Sequence, residues 1–252
     1  MSGHSHWATI RRKKGAADAK RGQLFTRLSR EIVIAAREGG GDPDTNVRLA
    51  LAVQRARANN MPKDRIERAI KRGTGEDKEG NAIEEIMYEG YAPHGVALMI
   101  ECVTDNRNRA VAEIRHTLSR FGGNMAENGA VSWQFDRVSY FAFPSSALSY
   151  EKAFELAVEA GADDVTEDGD TIEIIGPVSA FKSIGDQLRA ANVQPEEAGL
   201  RMIPKQEIEL NTQDTLQVMK VIEHLEDLDD VQNVYSNLKM TEDALAAVEA
   251  EA

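Results

Sequence analysis

The hydrophobic periodicity of this chain changes once, near residue 73, and that change demands two kinds of fold in one polypeptide. Before it, Leu24, Leu28, Ile32 and Ala35 or Ala36 recur at helical spacing and form a single apolar stripe. After it, apolar residues come in short runs of strand length that alternate with helical segments. Charge changes sign at the same place. Of the 30 Lys/Arg and 42 Asp/Glu in the chain, residues 1–75 hold 17 and 7, and residues 76–252 hold the other 13 and 35. The net charge of −12 therefore conceals a segment at +10 joined to one at −22. A field that uneven implies that one part is aimed at a polyanion and the remainder is not.

Residues 1–15 are polar and basic apart from Trp7 and Ile10, and read as an arm. A first helix is expected from near Ala16 until GlyGlyGlyAspPro (39–43) turns the chain. Asp44 or Thr45 can cap a second helix over 46–59, with Leu49, Val53 and Ala56 inward. A third starts at Pro62 and stops at Gly73. The stretch 73–81 reads as a linker. Beyond it the order is strands 84–91 and 96–103, helix 107–121, strands 130–136 and 138–143, and helix 149–160. Strands 163–167 and 170–175, helix 177–191, strands 197–203 and 206–211, helix 213–226 and strand 231–237 complete it. The block 138–203 is β-α-β-β-α-β, one whole ferredoxin-like unit, and its flanks supply about half a unit each. The expected fold class is α+β with three domains. An N-terminal helical bundle (1–80) precedes a ferredoxin-like α+β domain made from 81–136 with 205–240. A second ferredoxin-like domain (137–204) is inserted in it, and 241–252 form an acidic tail.

No apolar run approaches the ~20 residues of a membrane span. The N-terminal stretch has charge with no apolar segment behind it, so no signal peptide and a cytoplasmic location are expected. Cys102 is the single cysteine, which excludes an internal disulfide; its apolar neighbours make it a buried structural thiol. No GxxxxGK[ST], dinucleotide fingerprint, HExxH or GxSxG occurs. The histidines are scattered, and His4 and His6 are too few for a closed zinc site. The expectation is no catalytic residue, metal, cofactor or small-molecule substrate. An enzyme on a ferredoxin-like scaffold ranks last among the alternatives.

The candidate binding residues are basic. On the third helix Arg65, Arg68 and Arg72 share a stripe, with Lys63 and Lys71 beside it and Ile66, Ala69 and Ile70 on the adjoining face. The arm and first helix add Arg11, Arg12, Lys13, Lys14, Lys20 and Arg21. Guanidinium groups suit phosphate, and each neutralised phosphate releases counterions. The second helix, the AsnAsnMetPro turn (59–62) and the third helix have the outline of a helix-turn-helix. Yet the stripe is all Arg, with no Asn or Gln to pair with adenine, which favours backbone contact over base reading. Trp7 could stack on a base or anchor the arm. ThrAspAsnArgAsnArg (104–109) opens a helix, where Thr104 or Asp105 can cap. Arg107 and Arg109 there either hold an anion or are solvated beside a good cap.

GlyHisSerHisTrpAlaThrIle (3–10), AspAlaLysArgGly (18–22), GlyGlyGlyAspPro (39–43), AsnAsnMetProLysAspArgIleGluArgAlaIleLysArgGlyThrGly (59–75), TyrGluGlyTyr (88–91) and ThrAspAsnArgAsnArg (104–109) together resemble the YebC/PmpR family. The likeness is strongest in 1–135. His6 replaces a usual Lys, and AlaProHisGly (92–95) replaces a more Gly-rich turn. The resemblance implies three domains, a helical one and two α+β ones. It implies a DNA-binding transcriptional regulator, or, as for the mitochondrial translational activator of cytochrome oxidase, a factor that works on ribosomal RNA at the ribosome. The implied partner is nucleic acid, DNA or rRNA, with no membrane.

Overall fold

The structure is a computed structural model and describes residues 19–77, 83–241, 243–244 and 246–247. Three helices come first: α1 (Ala19–Gly39), α2 (Val47–Ala58) and α3 (Lys63–Thr74). The stripe expected on α1 is its core side, with Leu28, Ile32, Ala35 and Ala36 buried. The cap of α2 is Asn46, rather than Asp44 or Thr45. Its side chain accepts from the Leu49 N–H at 3.1 Å and donates to the carbonyls of Ala35 and Gly40, both at 2.8 Å. One buried amide thus serves the helix end and the preceding turn together, whereas Asp44 and Thr45 face solvent. Helix α3 follows Pro62 and ends at Gly75, whose φ of 80° lets its N–H reach the Arg72 and Lys71 carbonyls. Gly73 is where α3 meets α1. A Cβ there would stand 2.5 Å from the Val33 carbonyl oxygen and 2.7 Å from the Ala36 Cβ.

The chain continues through β1 (Glu84–Tyr91), β2 (Ala97–Thr104), α4 (Arg107–Arg120), β3 (Asn124–Met125) and β4 (Phe135–Pro144). Then come α5 (Tyr150–Ala160), β5 (Asp164–Asp168), β6 (Thr171–Pro177), α6 (Phe181–Ala190), β7 (Glu197–Pro204), α7 (Thr212–Glu226) and β8 (Val231–Ser236). They make two antiparallel four-stranded sheets, ordered β3-β1-β2-β8 and β5-β6-β4-β7. In the second sheet each βαβ crossover skips one strand: β4 and β5 flank β6, and β6 and β7 flank β4. That is the ferredoxin-like split βαβ. In the first sheet β2 and β3 flank β1 in the same way, and β8 returns beside β2 after the second sheet's residues have intervened. Leu98, Ile100, Ile114, Leu118, Val221 and Leu225 lie in the first core; Phe141, Phe143, Ile172, Ile174, Ala157 and Ile184 lie in the second. The chain resolves into two compact units. One joins the first sheet with the N-terminal half of α1; the other joins the second sheet with the rest of α1, α2 and α3.

Three expected elements differ. Residues 130–136 are not a strand: Ser132–Gln134 form a 3-10 turn, and β4 runs unbroken from Phe135. The cause is Glu89, a buried carboxylate that accepts the N–H groups of Gly129 (2.8 Å), Val131 (2.5 Å) and Ser132 (2.9 Å). Donors that a ladder would use are turned onto one side chain. The small strand β3 lies at Asn124–Met125, inside a stretch that reads as a turn. Residues 206–211 form only an isolated bridge between Ile208 and Leu238, not a strand.

Candidate nucleic-acid interface

The basic excess of the N-terminal segment divides into residues spent inside the protein and residues facing out. Arg27 donates to the backbone carbonyls of Glu226 (2.9 Å) and Gln232 (2.8 Å). Arg30 pairs with the buried Asp230 at 2.6 Å and donates to the Asp229 carbonyl. Arg48 pairs with Glu38; Arg55 pairs with Glu31 at 2.9 Å and donates to the Glu196 carbonyl at 3.1 Å. These guanidiniums serve the fold, so charge counting alone overstates the surface available to a polyanion.

Among the described residues of this segment, what faces out is concentrated on α3, with Arg37 and Arg57 exposed on α1 and α2. Ile66 and Ala69 are buried, while Lys63, Arg65, Arg68 and Lys71 are exposed and Arg72 is half-buried. At ~100° per residue Arg68 and Lys71 point directly away from the buried side, and Arg65 and Arg72 run along its border. Arg65 and Arg72 also make contacts within the protein, and Lys63 lies 3.6 Å from Glu67 on the same helix. Asp64 in the first turn and Lys71 and Arg72 in the last match the helix dipole. Helix α3 contains no Asn or Gln, so its outward face offers charge and bidentate donors to phosphate but no amide for a base edge. The turn into it is tight: Met61 is buried and Asn60 adopts a φ of 59°. Lys20 and Arg21 lie in the first turn of α1. The arm, with Trp7, Arg11, Arg12, Lys13 and Lys14, lies outside the described residues.

The second candidate, at 104–109, divides. The cap of α4 is Asn106, whose side chain accepts the Arg109 N–H at 3.1 Å, instead of Thr104 or Asp105; Thr104 Oγ1 accepts the Asn106 N–H at 2.9 Å. Arg109 grips Asp230 through Nε (3.0 Å) and Nη2 (2.9 Å), and Asp105 through Nη2 (2.9 Å). Those bonds raise its pKa further, and the Arg109 hydrogen bond holds Asp105 below the usual carboxylate range. With its guanidinium bonded to Asp230 and Asp105, Arg109 is a structural clamp. Arg107 points outward, 3.8 Å from Glu84.

Sequence reasoning passes over two further groups. All four arginines between residues 83 and 136 lie on α4, and Arg115 and Arg120 among them are exposed. Their clustering in an acidic stretch is a signal that was available. Asp230 has no such signal; only the fold brings Arg30 and Arg109 to it from helices 79 residues apart. Cys102 is buried, and that burial pushes its thiol up to about 12, so it stays a protonated core residue. Among the described residues no group of three or more His, Cys, Asp or Glu is placed to hold a metal ion, and no helix is long and apolar enough to cross a membrane.

Residues 5–76 match the family model for the TACO1/YebC N-terminal domain, and 83–238 match that for the TACO1/YebC second and third domains. A "Probable transcriptional regulatory protein" of Bifidobacterium animalis subsp. lactis is 51% identical over 251 residues, covering 100% of both chains. One from Geobacter sulfurreducens is 50% identical, covering 97% of this chain and 98% of its own. The crystal structure of a conserved hypothetical protein, Aq1575 from Aquifex aeolicus, superposes with a TM-score of 0.77 at 40% identity, over 89% of this chain and 93% of that one.

Proposed function

The chain belongs to the TACO1/YebC family, and on that footing we propose that it is a nucleic-acid-binding regulatory protein without catalytic activity. It acts as a DNA-binding transcriptional regulator of the cytoplasm that grips phosphate backbone through its helical segment. The observation that carries this reading is the outward face of α3, where Lys63, Arg65, Arg68 and Lys71 are exposed on one short helix. The net charge of −12 does not cancel that face. Screening confines the field of distant carboxylates to about 8 Å at physiological salt, so a phosphate against α3 feels mainly α3. The names of the relatives support a role in transcription. The basic arm at residues 11–14 and the exposed Arg107 would extend the phosphate-contacting surface.

The lack of a base-reading amide on α3 supports a second reading, a factor that binds ribosomal RNA at the ribosome and acts in translation. One experiment separates the two. The full chain is crosslinked in cells, bound DNA and RNA are both sequenced, and the recovered sites are titrated across a salt series. A regulator recovers defined duplex sites that bind roughly a thousandfold or more tighter than shuffled duplex at physiological salt. Equal binding to shuffled duplex, with ribosomal RNA recovered and co-sedimentation with ribosomes, replaces it with the second reading. Binding that is absent or insensitive to salt overturns both.

A further inference from the structure

Among the described residues four large apolar side chains stand in solvent: Trp133, Phe154, Val158 and Val178. Scattered exposed apolar residues are ordinary. Phe154 and Val158 are not scattered. Phe154 (48% exposed) and Val158 (60%) are one turn apart on α5, and Tyr150, half-buried, lies one turn before them, its ring 6.3 Å from that of Phe154. The adjoining side of α5 is the one that packs: Ala153, Ala157 and Ala160 are buried in the second core. Ser183 Oγ lies 2.7 Å from the Ala160 carbonyl oxygen and 3.0 Å from that of Ala180, which ties the end of α5 to the turn 178–180. Phe154 and Val158 therefore form an apolar ridge that their own domain leaves in solvent, and Tyr150 borders it, packed on the second core with its hydroxyl 3.4 Å from the Val165 carbonyl.

Charge says what covers it. Glu151, Glu155 and Glu159 are each one residue beyond a ridge residue and form a parallel exposed row on the solvent side. Among the described residues none of the three has a basic partner, and Lys152 is the one base on the helix. This acid row repels phosphate and therefore both nucleic acid and an anionic lipid surface. It also disfavours a second copy of this chain, because a two-fold contact would oppose one glutamate row to another. We propose that the Tyr150–Phe154–Val158 ridge docks a basic amphipathic helix of a partner protein, with apolar anchors at i, i+4 spacing and Lys or Arg facing the three glutamates. The site is built on α5 and not on α3, so one chain would hold nucleic acid through one helix and a basic protein through another.

The test is fluorescence anisotropy of full-length protein with a labelled amphipathic peptide of about 14 residues built from leucine and lysine. Its controls are the same composition scrambled and a version with Glu for Lys. The amphipathic lysine peptide is expected to bind best. The double variant Phe154→Ser/Val158→Ser and the triple variant Glu151→Gln/Glu155→Gln/Glu159→Gln should each weaken it about tenfold or more, while circular dichroism and nucleic-acid binding stay unchanged. Equal binding of the scrambled peptide, or unchanged binding by Phe154→Ser/Val158→Ser, shows attraction to bulk acidity alone and overturns the proposal. Sedimentation that reveals a dimer lost in the same double variant also overturns it and assigns the ridge to a second copy. Tighter peptide binding after deletion of residues 1–15 overturns it in favour of the chain's own arm.

Discussion

Replacing Asp230 with alanine tests the clamp that holds the first half of α1 to the first sheet's unit. The carboxylate is 1% exposed, 2.6 Å from Arg30 Nη2, and accepts from Arg109 Nε and Nη2 at 3.0 and 2.9 Å. Removing one partner of a buried pair costs about 3–5 kcal/mol, because the other charge is stranded. The two arginines do not share that cost equally. Arg30 is 10% exposed and keeps only the Asp229 carbonyl, so it is the stranded charge. Arg109 is 41% exposed and keeps Asp105, so solvent screens it and its share is about 0–1 kcal/mol. The backbone bond from Val103 N–H to the Asp230 carbonyl survives the substitution. The expected loss is therefore near the low end, about 3 kcal/mol. It is read as a fall in the urea midpoint at constant m, with faster hydrogen exchange along the first turns of α1. Arg109→Ala should cost about 1 kcal/mol or less. The double variant Arg30→Ala/Asp230→Ala should be no worse than Asp230→Ala alone and should recover part of its loss, since it also removes the stranded charge. A midpoint unchanged in Asp230→Ala, or a loss in Arg109→Ala equal to that in Asp230→Ala, refutes the assignment.

Changing Arg65, Arg68 and Arg72 together to alanine should leave the circular dichroism spectrum intact. It should flatten the salt dependence of binding by up to about 2.7 in log–log slope on duplex DNA, or about 2.1 on a single strand; an unchanged slope moves the phosphate contacts to residues 11–14. Gly73→Ala should destabilise by about 1–3 kcal/mol despite a helix-propensity gain of about 1, because its Cβ would meet the Val33 carbonyl at 2.5 Å; a higher melting temperature counts against that contact. At Glu89 burial raises the pKa, but the N–H groups of Gly129, Val131 and Ser132 outweigh it and the net shift is downward. A depressed carboxylate contributes stability above the unfolded pKa of about 4.3 and loses it as pH falls through the folded value. The wild type should therefore lose its advantage over Glu89→Gln as melts go from pH 7 towards pH 3, and a constant difference would show that Glu89 acts without its charge.

The helices of 19–74 and most strands were legible because each depends on local spacing. The 3.6-residue stripe of Leu28, Ile32 and Ala35 marks α1, and a short apolar run marks β2. The errors fall where a side chain far along the chain competes for the backbone. Residues 130–136 look like a strand until Glu89, some 40 residues earlier, takes two of their N–H groups and that of Gly129 just before them. The caps at Asn46 and Asn106 were within reach, since each precedes by three residues the N–H it accepts. For the candidate site, sequence located the basic helix and its want of base-reading amides. It could not tell Arg68, which faces solvent, from Arg30, which is spent on Asp230, because charge type is written residue by residue and its partner is not. By itself the sequence determined the helical-to-mixed change at residue 73, the charge division, the family and the basic character of α3. Tertiary structure decided which arginines remain outside, that Arg109 is a clamp, and that α5 keeps a bare apolar ridge beside three glutamates. The pairings depend on which distant groups each unit brings within about 3 Å of one another, a distance at which a hydrogen bond or ion pair outweighs local preference, and the ridge depends on which helix side each core takes up.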